Sequence, residues 1–426
     1  MINKNNIFKV PNTNSRDAPY KRVIYDIKDE LLINSKTKKS NQDYICICSG
    51  GTTSSCARKN LVTIDLRKKY NQISFDQGSN LVRIGGGVLM KDLLAHLEKF
   101  GRTFPTGLSN LPGAGFILTG GISPLSRRYG LAIDNVESLK GFFGNGDYFS
   151  FSKKKLKKED KKIWSAIKGA APFLSIVTEI ELNTFKPYPI QIIEGFVNEK
   201  ELEELIKLSE YFPENVSLQW LYSEKIYIYI VSELIRTEDE ENISNYLFKY
   251  EKFSSLNSKI YGNFNLVKFF PNELGLFELN KNNHSEVISL LGKELGNNTE
   301  EFISILKEIN SERPNKSCYI ATQQLGFKTK KETTPGSYFI HRESIWKPWI
   351  YTSWKKNDLK DKERALDWLN KSWYKLKKFF PKIHLAQLHT HLNSHKEEMD
   401  LAFGNKVDEL KILKNIYDPA GNLPPL

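Results

Sequence analysis

Long apolar runs, cysteine pairs and signal-like segments are all missing from this chain of 426 residues. A membrane-crossing helix needs about 18 or more apolar residues in a row, so no membrane span is expected. The opening MINKNNIFKVPNTNSRDAPY lacks the apolar core of a secretion signal, which makes a cytoplasmic location the expectation. Cys46, Cys48, Cys56 and Cys318 form no CxxC pair and argue against a disulfide framework. Basic residues outnumber acidic ones, 62 to 50, for a net charge of +12. The lysines are spread along the whole chain and no basic–aromatic module accompanies them. No nucleic-acid partner is therefore expected. No metal is expected either. His389, His391 and His395 have the spacing for zinc, but no cysteine or carboxylate stands near them at motif spacing.

What is present is glycine, concentrated in the first half. YICIC (44–48) and LVTIDL (61–66) read as strands around the loop CSGGTTSS (48–55). LVRIGGGV (81–88) reads as a strand ending in glycines, and LMKDLLAHLEKFG (89–101) as an amphipathic helix with a glycine stop. ESLKGFFGNGDYFSFS (137–152) reads as a hairpin turning at GNGD. IWSAIKGAAPFLSIVTEIELNTF (163–185) reads as a short helix, a glycine loop and a strand.

After KPYPI (186–190) the texture changes to strands alternating with helices, such as SLQWLYSEKIYIYIVSEL (217–234) and EEFISILKEI (300–309). That is the pattern of an antiparallel sheet covered by helices. CYIATQQLGF, SYFIHRESIWKPWIYTSW and IHLAQLHTHL read as further strands, and KVDELKILKNIY as a closing helix. The fold class expected is α+β. The division expected is 1–187, 188–396 and a C-terminal helix at 397–426 that returns to the first unit.

Alone, CSGGTTSS reads as an ordinary hairpin turn. It can also form an anion nest, because paired glycines let consecutive backbone N–H groups approach a phosphate. It lacks the lysine of a GxxxxGK[ST] loop, and GAGFIL (113–118) lacks the third glycine of a GxGxxG fingerprint.

Five stretches in order resemble the FAD-binding oxidoreductases of the vanillyl-alcohol oxidase and berberine-bridge-enzyme group, of PCMH type. They are CSGGTTSS, VRIGGGVLMKDLLAHLEKFGRTFPTG, GAGFILTGGISPLSRRYGLAIDNV, IWSAIKGAAPFLSIVTEIEL and AFGNKVDELKILKNIYDPAGNL. The resemblance implies a two-domain fold. An FAD domain of two small α/β subdomains is followed by a substrate domain whose antiparallel sheet roofs the flavin ring. It implies FAD contacts from Ser49, Gly50, Gly51, Thr52, Thr53 and Ser54 in the first loop. In the second it implies Ser109, Pro112, Gly113, Ala114, Gly115, Thr119, Gly120 and Gly121. Backbone near Asp134, Asn135, Ile176 and Val177 completes the set. Many members attach FAD covalently through a histidine in the first loop, and some also through a cysteine in the second. Thr52 and Ser109 stand at those positions here, so non-covalent FAD is expected.

For the chemistry, a base for the substrate proton is sought among His and other polar residues facing the flavin. His389 and His391, two apart in an expected strand, are the leading candidates, with Gln324 and His341 behind them. The expected activity is oxidation of a C–H bond in an alcohol or sugar-like small molecule. Oxygen or another electron acceptor would complete the cycle. The alternative is a flavin-binding protein without turnover.

Overall fold

Tyrosine- and isoleucine-rich segments of the second half pair into one large sheet, while the glycine-punctuated first half builds two small ones. The computed structural model describes residues 22–24, 27–38, 40, 43–53, 56–58, 61–109, 111–235, 247, 253, 255–267 and 283–426. The first sheet is parallel, in the order β1-β3-β2, from β1 (Arg22–Ile24), β2 (Cys46–Cys48) and β3 (Val62–Asp65). The second is antiparallel, in the order β4-β5-β8-β6-β7. Its strands are β4 (Ile73–Asp76), β5 (Leu81–Gly85), β6 (Val136–Phe143), β7 (Tyr148–Ser152) and β8 (Ser175–Asn183).

The third sheet has eight antiparallel strands in the order β12-β9-β11-β10-β14-β15-β13-β16. They are β9 (Ile190–Val197), β10 (Val216–Tyr222), β11 (Ile226–Glu233), β12 (Asn257–Tyr261), β13 (Asn283–Leu291), β14 (Tyr319–Gln324), β15 (Trp346–Lys355) and β16 (Lys382–His384). Both faces of the sheet are covered at its centre, while the edge strand β12 is exposed. β10 and β11 are buried along their whole length, which explains their near-continuous apolar and aromatic composition.

Among the described residues, five helices precede β9: α1 (Ile27–Thr37), α2 (Met90–Glu98), the one-turn α3 (Gly115–Leu118) and α4 (Ser126–Tyr129), and α5 (Lys161–Leu174). Then follow α6 (Glu199–Ser209), α7 (Thr299–Ser311), α8 (Leu359–Leu376), α9 (His395–Phe403) and α10 (Val407–Tyr417). One face of the large sheet carries helices. Trp220 of β10 packs on Phe302 of α7 with ring centroids 6.1 Å apart, and Trp368 of α8 donates to the Ile309 carbonyl at 3.0 Å. The other face meets the glycine-rich loop after α3. Gln323 Nε2 donates to the Ile122 carbonyl (3.3 Å), Ser217 Oγ to the Pro124 carbonyl (2.8 Å), and His384 Nε2 to the Thr119 carbonyl (2.9 Å).

α5 breaks at Lys168–Ala170, where Gly169 has φ +127°. A Cβ on Gly169 would stand 2.8 Å from the Phe339 amide nitrogen, so only glycine fits the kink. The kink sets the helix end and the start of β8 against the glycine loops.

Two expected strands are shorter than the sequence pattern suggested. In 337–354 only β15 is a strand, so His341 and Arg342 lie in a loop. In 383–392 only the first two residues belong to β16, and His389 and His391 lie among turns. Apolar alternation there reflects burial of an irregular segment against α9, which period-two reading cannot tell from a strand.

Candidate functional site

The two glycine loops touch backbone to backbone. Ser49 Oγ donates to the Gly86 carbonyl (2.6 Å) and accepts from the Gly115 amide (3.2 Å), tying them together. An added Cβ on Gly50 would lie 2.2 Å from the Gly113 amide nitrogen, and one on Gly113 would lie 2.4 Å from the Gly50 nitrogen. Gly51, at φ +76°, then reverses the chain. The contact leaves a cleft of ≈ 320 Å³ between the loops, the α5–β8 junction and the 384–388 segment.

At one end of the cleft stands His384. Its Nε2–H donates to the Thr119 carbonyl, so Nδ1 carries the lone pair. Nδ1 is buried with no hydrogen-bond partner. Burial, reinforced by the Lys347 ammonium, pushes His384 down to about 3 and keeps the imidazole neutral.

Lys347 projects from the same sheet face. The register pairs Ser289 with both His384 and Trp349, and Lys347 lies two residues from Trp349. Its Nζ lies 4.4 Å from the centroid of the Trp349 ring, and no carboxylate pairs with it among the described residues. Burial alone lowers it to about 7. An amine poised near neutrality is a proton acceptor in waiting.

Comparison with known proteins bears on what the cleft holds. The family model described as "FAD binding domain" matches residues 34–152. The fold is that of solved berberine-bridge-enzyme-like structures. The Physcomitrella patens BBE-like 1 structure superimposes with a TM-score of 0.80 over 97% of this chain and 92% of that one, at 16% identity. (R)-6-hydroxynicotine oxidase of Paenarthrobacter nicotinovorans is 34% identical over 137 residues, 32% of this chain. That match takes in only 29% of the relative's length. An FAD-linked oxidoreductase of Dictyostelium discoideum is 25% identical over 414 residues, 93% of this chain and 86% of its own.

The cleft's chemistry fits FAD. Its lining contains no Asp or Glu, and two loops turn their backbone toward it. Ser175 Oγ, at the start of β8, lines it while buried without a partner, an orphan that a bound polar ligand would satisfy. Ser175 was not singled out from the sequence, although it precedes the Ile176-Val177 pair that was.

Of the expected FAD residues, Ser49 to Thr53, Pro112 to Gly115, Thr119, Ile176 and Val177 line the cleft. Ser54 lies outside the described residues. Ser109, Gly120 and Gly121 do not line it. Ser109 Oγ accepts from the Leu111 amide (3.3 Å), and Gly120 and Gly121 accept from the Ile133 and Ala132 amides.

Asp134 and Asn135 also sit away from the cleft. Asp134 receives a bidentate pair from Arg342, at 2.7 and 2.8 Å, and Asn135 donates to the Tyr129 and Leu131 carbonyls. They brace the end of the second glycine loop against the 337–345 loop. Arg342→Met leaves Asp134 buried and uncompensated. We expect a loss of about 3–5 kcal/mol in thermal or urea unfolding.

The expected catalytic residues are occupied elsewhere. Gln324 faces the helices, accepting from the Leu218 amide (3.0 Å) and donating to the Ser209 carbonyl (2.7 Å). Its neighbour Gln323 is the one facing the second glycine loop, at the Ile122 carbonyl. His341 Nε2 donates to the Leu401 carbonyl, and burial lowers its pKa.

His389 is buried between carboxylates. Nδ1 is 2.7 Å from Glu398, and Nε2 is 3.4 Å from Glu286, a charge contact longer than a hydrogen bond. Burial opposes the charge on His389, but Glu398 and Glu286 outweigh it and raise the group to about 10. His391 donates from Nε2 to Glu286 (2.7 Å) and accepts at Nδ1 from Arg58 (2.7 Å). Neither ring lines the cleft.

Proposed function

We propose that this chain is an FAD-dependent oxidoreductase acting on a small alcohol or sugar-like substrate. FAD would be bound without a covalent link. The observation that carries the reading is the cleft itself, which runs from two touching glycine loops to His384, whose Nδ1 has no partner among the described residues.

Bound FAD supplies a two-electron acceptor for a C–H bond next to a heteroatom. The chain does the rest. His384 Nδ1, held neutral, accepts a hydrogen bond from a second hydroxyl of the substrate and orients it. Lys347, on the sheet face beside His384 but not itself among the residues lining the cleft, takes the reacting hydroxyl's proton at Nζ as the free amine. Gln323 and Trp349 flank Lys347 on the same face. An occupied imidazolium such as His389 has no lone pair for this task, so the base proposal moves from His389 and His391 to Lys347.

Two tests follow. Anaerobic mixing with a panel of alcohols, sugars and hydroxy acids should bleach the flavin for at least one compound. No bleaching across the panel favours a flavin protein without turnover. For the responsive substrate, the reduction rate should rise with pH through about 7, because burial sets Lys347 there and the free amine is the acceptor. His384 is the titratable group facing it. Lys347→Met should lower the rate by about 10²- to 10⁴-fold and remove the pH limb. A retained limb in that variant excludes Lys347 as base.

Thr52 lines the cleft and has no nucleophilic nitrogen or sulfur for a flavin linkage. Acid precipitation should leave the yellow colour in the supernatant, and colour in the pellet contradicts the non-covalent reading.

A further inference from the structure

The segment after α10 returns to the cleft as a strap. Asp418 Oδ1 accepts from the Asn422 amide (2.7 Å) and Oδ2 from the Leu423 amide (3.0 Å), which folds residues 418–423 into a tight turn. The Asn422 carbonyl accepts from the Ile45 amide (2.7 Å), and its Nδ2 donates to Ser35 Oγ (2.6 Å) and the Gly144 carbonyl (2.9 Å). Leu423 is buried in a cluster with Leu31, Ile45, Leu66 and Ile176. Pro424 then lines the cleft, and the Pro425 carbonyl accepts from His395 Nε2 (3.3 Å). Two successive prolines carry no N–H, so this end of the strap is held only by donors that reach its carbonyls.

Lys414 is the main such donor. Its Nζ donates to the carbonyls of Leu423 (3.1 Å) and Pro424 (3.0 Å), and it pairs with buried Asp418. The same ammonium donates to the Phe173 carbonyl (2.8 Å). Phe173 lies between Pro172 and Ser175, which both line the cleft at the α5–β8 junction. One cation therefore joins two pieces of the cleft wall that are 250 residues apart in sequence. Its three N–H groups are taken up by four oxygens, and Lys414 is not itself in the lining. It acts on the cleft only through the carbonyls it holds.

We propose that Lys414 is a positioning residue for FAD: it fixes the 418–425 strap as one wall of the cleft, so that strap docking and FAD binding stabilise each other. The inference rests on the reading that this cleft binds FAD. Without the ammonium, three carbonyls and the Asp418 carboxylate lose their donor, and the strap is docked for only part of the time. FAD then binds the docked fraction alone, and its apparent affinity falls by that fraction. By reciprocity, bound FAD raises the docked population by the same factor.

The test compares full-length Lys414→Met with the native chain. Lys411→Met is the control, because that exposed ammonium pairs with Asp408 on the same helix. Met at 414 leaves Asp418 buried without its cation, so Lys414→Met/Asp418→Asn is made in parallel to keep a folded chain in hand. Each deflavinated chain is titrated with FAD well below its own melting temperature. The dissociation constant should rise about 10-fold or more in both Lys414 variants and stay unchanged in Lys411→Met. Hydrogen exchange supplies the second readout. In the native chain FAD should slow exchange of the Gly421, Asn422 and Leu423 amides, and in FAD-free Lys414→Met these amides should exchange faster than in the FAD-free native chain.

A lysine with a purely structural role would lower the melting temperature and leave the FAD affinity of the folded chain as it was. Unchanged affinity in both Lys414 variants, or strap amides indifferent to FAD in the native chain, each overturns the proposal. A native chain that takes up no flavin overturns the reading of the cleft as well, and shows itself in flavin absorbance before any variant is compared.

Discussion

Gly50→Ala should yield a chain that purifies without flavin. The reason is a backbone collision rather than a lost contact. The new Cβ would lie 2.2 Å from the Gly113 nitrogen and 2.9 Å from the Pro112 carbonyl carbon. No side chain can rotate away to relieve it, so the two loops must separate. Their separation breaks the Ser49 bridge between Gly86 and Gly115 and moves both sets of backbone amides off the cleft. Charge-assisted bonds to phosphate are worth about 1.5–3 kcal/mol each, so losing two reduces affinity by roughly 10²-fold or more. Gly78→Ala is the control, since its Cβ meets only an Asp76 carboxylate oxygen at 3.4 Å. Flavin absorbance per protein, with a melting curve to check folding, decides the matter. A full flavin complement in Gly50→Ala would show that the loops are not in this contact.

His389→Ala should be among the most destabilising single substitutions in the molecule while sparing the chemistry. The imidazolium sits between Glu398 and Glu286, both buried. Removing it leaves two carboxylates facing each other without a cation, a loss of about 3–5 kcal/mol for a broken buried pair.

The pH dependence has a definite sign. The folded pKa, about 10, lies above the unfolded value of 6.5. The contribution of His389 to stability is therefore complete below about pH 6.5 and is lost as pH rises through about 10. Urea unfolding at pH 6 and pH 9.5 should show that loss in the native chain and a flatter profile in the variant. The flavin reduction rate per bound flavin should change little. A large drop in that rate, with stability retained, would return His389 to the catalytic role its spacing first suggested.

The contrast between His389 and His384 marks what a sequence can and cannot say. HTH, with its two-residue spacing, drew attention to 389 and 391. The spacing argument needs a strand, and the segment is a set of turns. Its partners, Glu286 and Arg58, stand 105 and 333 residues from His391 along the chain. No local pattern contains them. His384 carried no signal at all, because what distinguishes it is one carbonyl at Thr119 and one lysine at 347. The Gln323/Gln324 pair shows the same limit on a smaller scale. Alternation predicted that they face opposite ways, which they do, but not which face meets the second glycine loop.

The glycine loops, the GNGD hairpin, the short helix and glycine break before β8 and the helix-covered antiparallel sheet were legible from the residues alone. Each is specified by neighbours in the chain: a glycine where φ is positive, a period of two or of 3.6, a stop signal at a helix end. The proposed cofactor cradle belongs to this class because it is built largely from backbone, and backbone conformation is encoded locally. The roof of the cleft belongs to the other class. Which side chain is buried beside which, and so whether a histidine is charged and locked or neutral and open, depends on desolvation and on pairs brought together by the fold. The tertiary structure alone decides those terms, because a pKa is set by what surrounds a group in space.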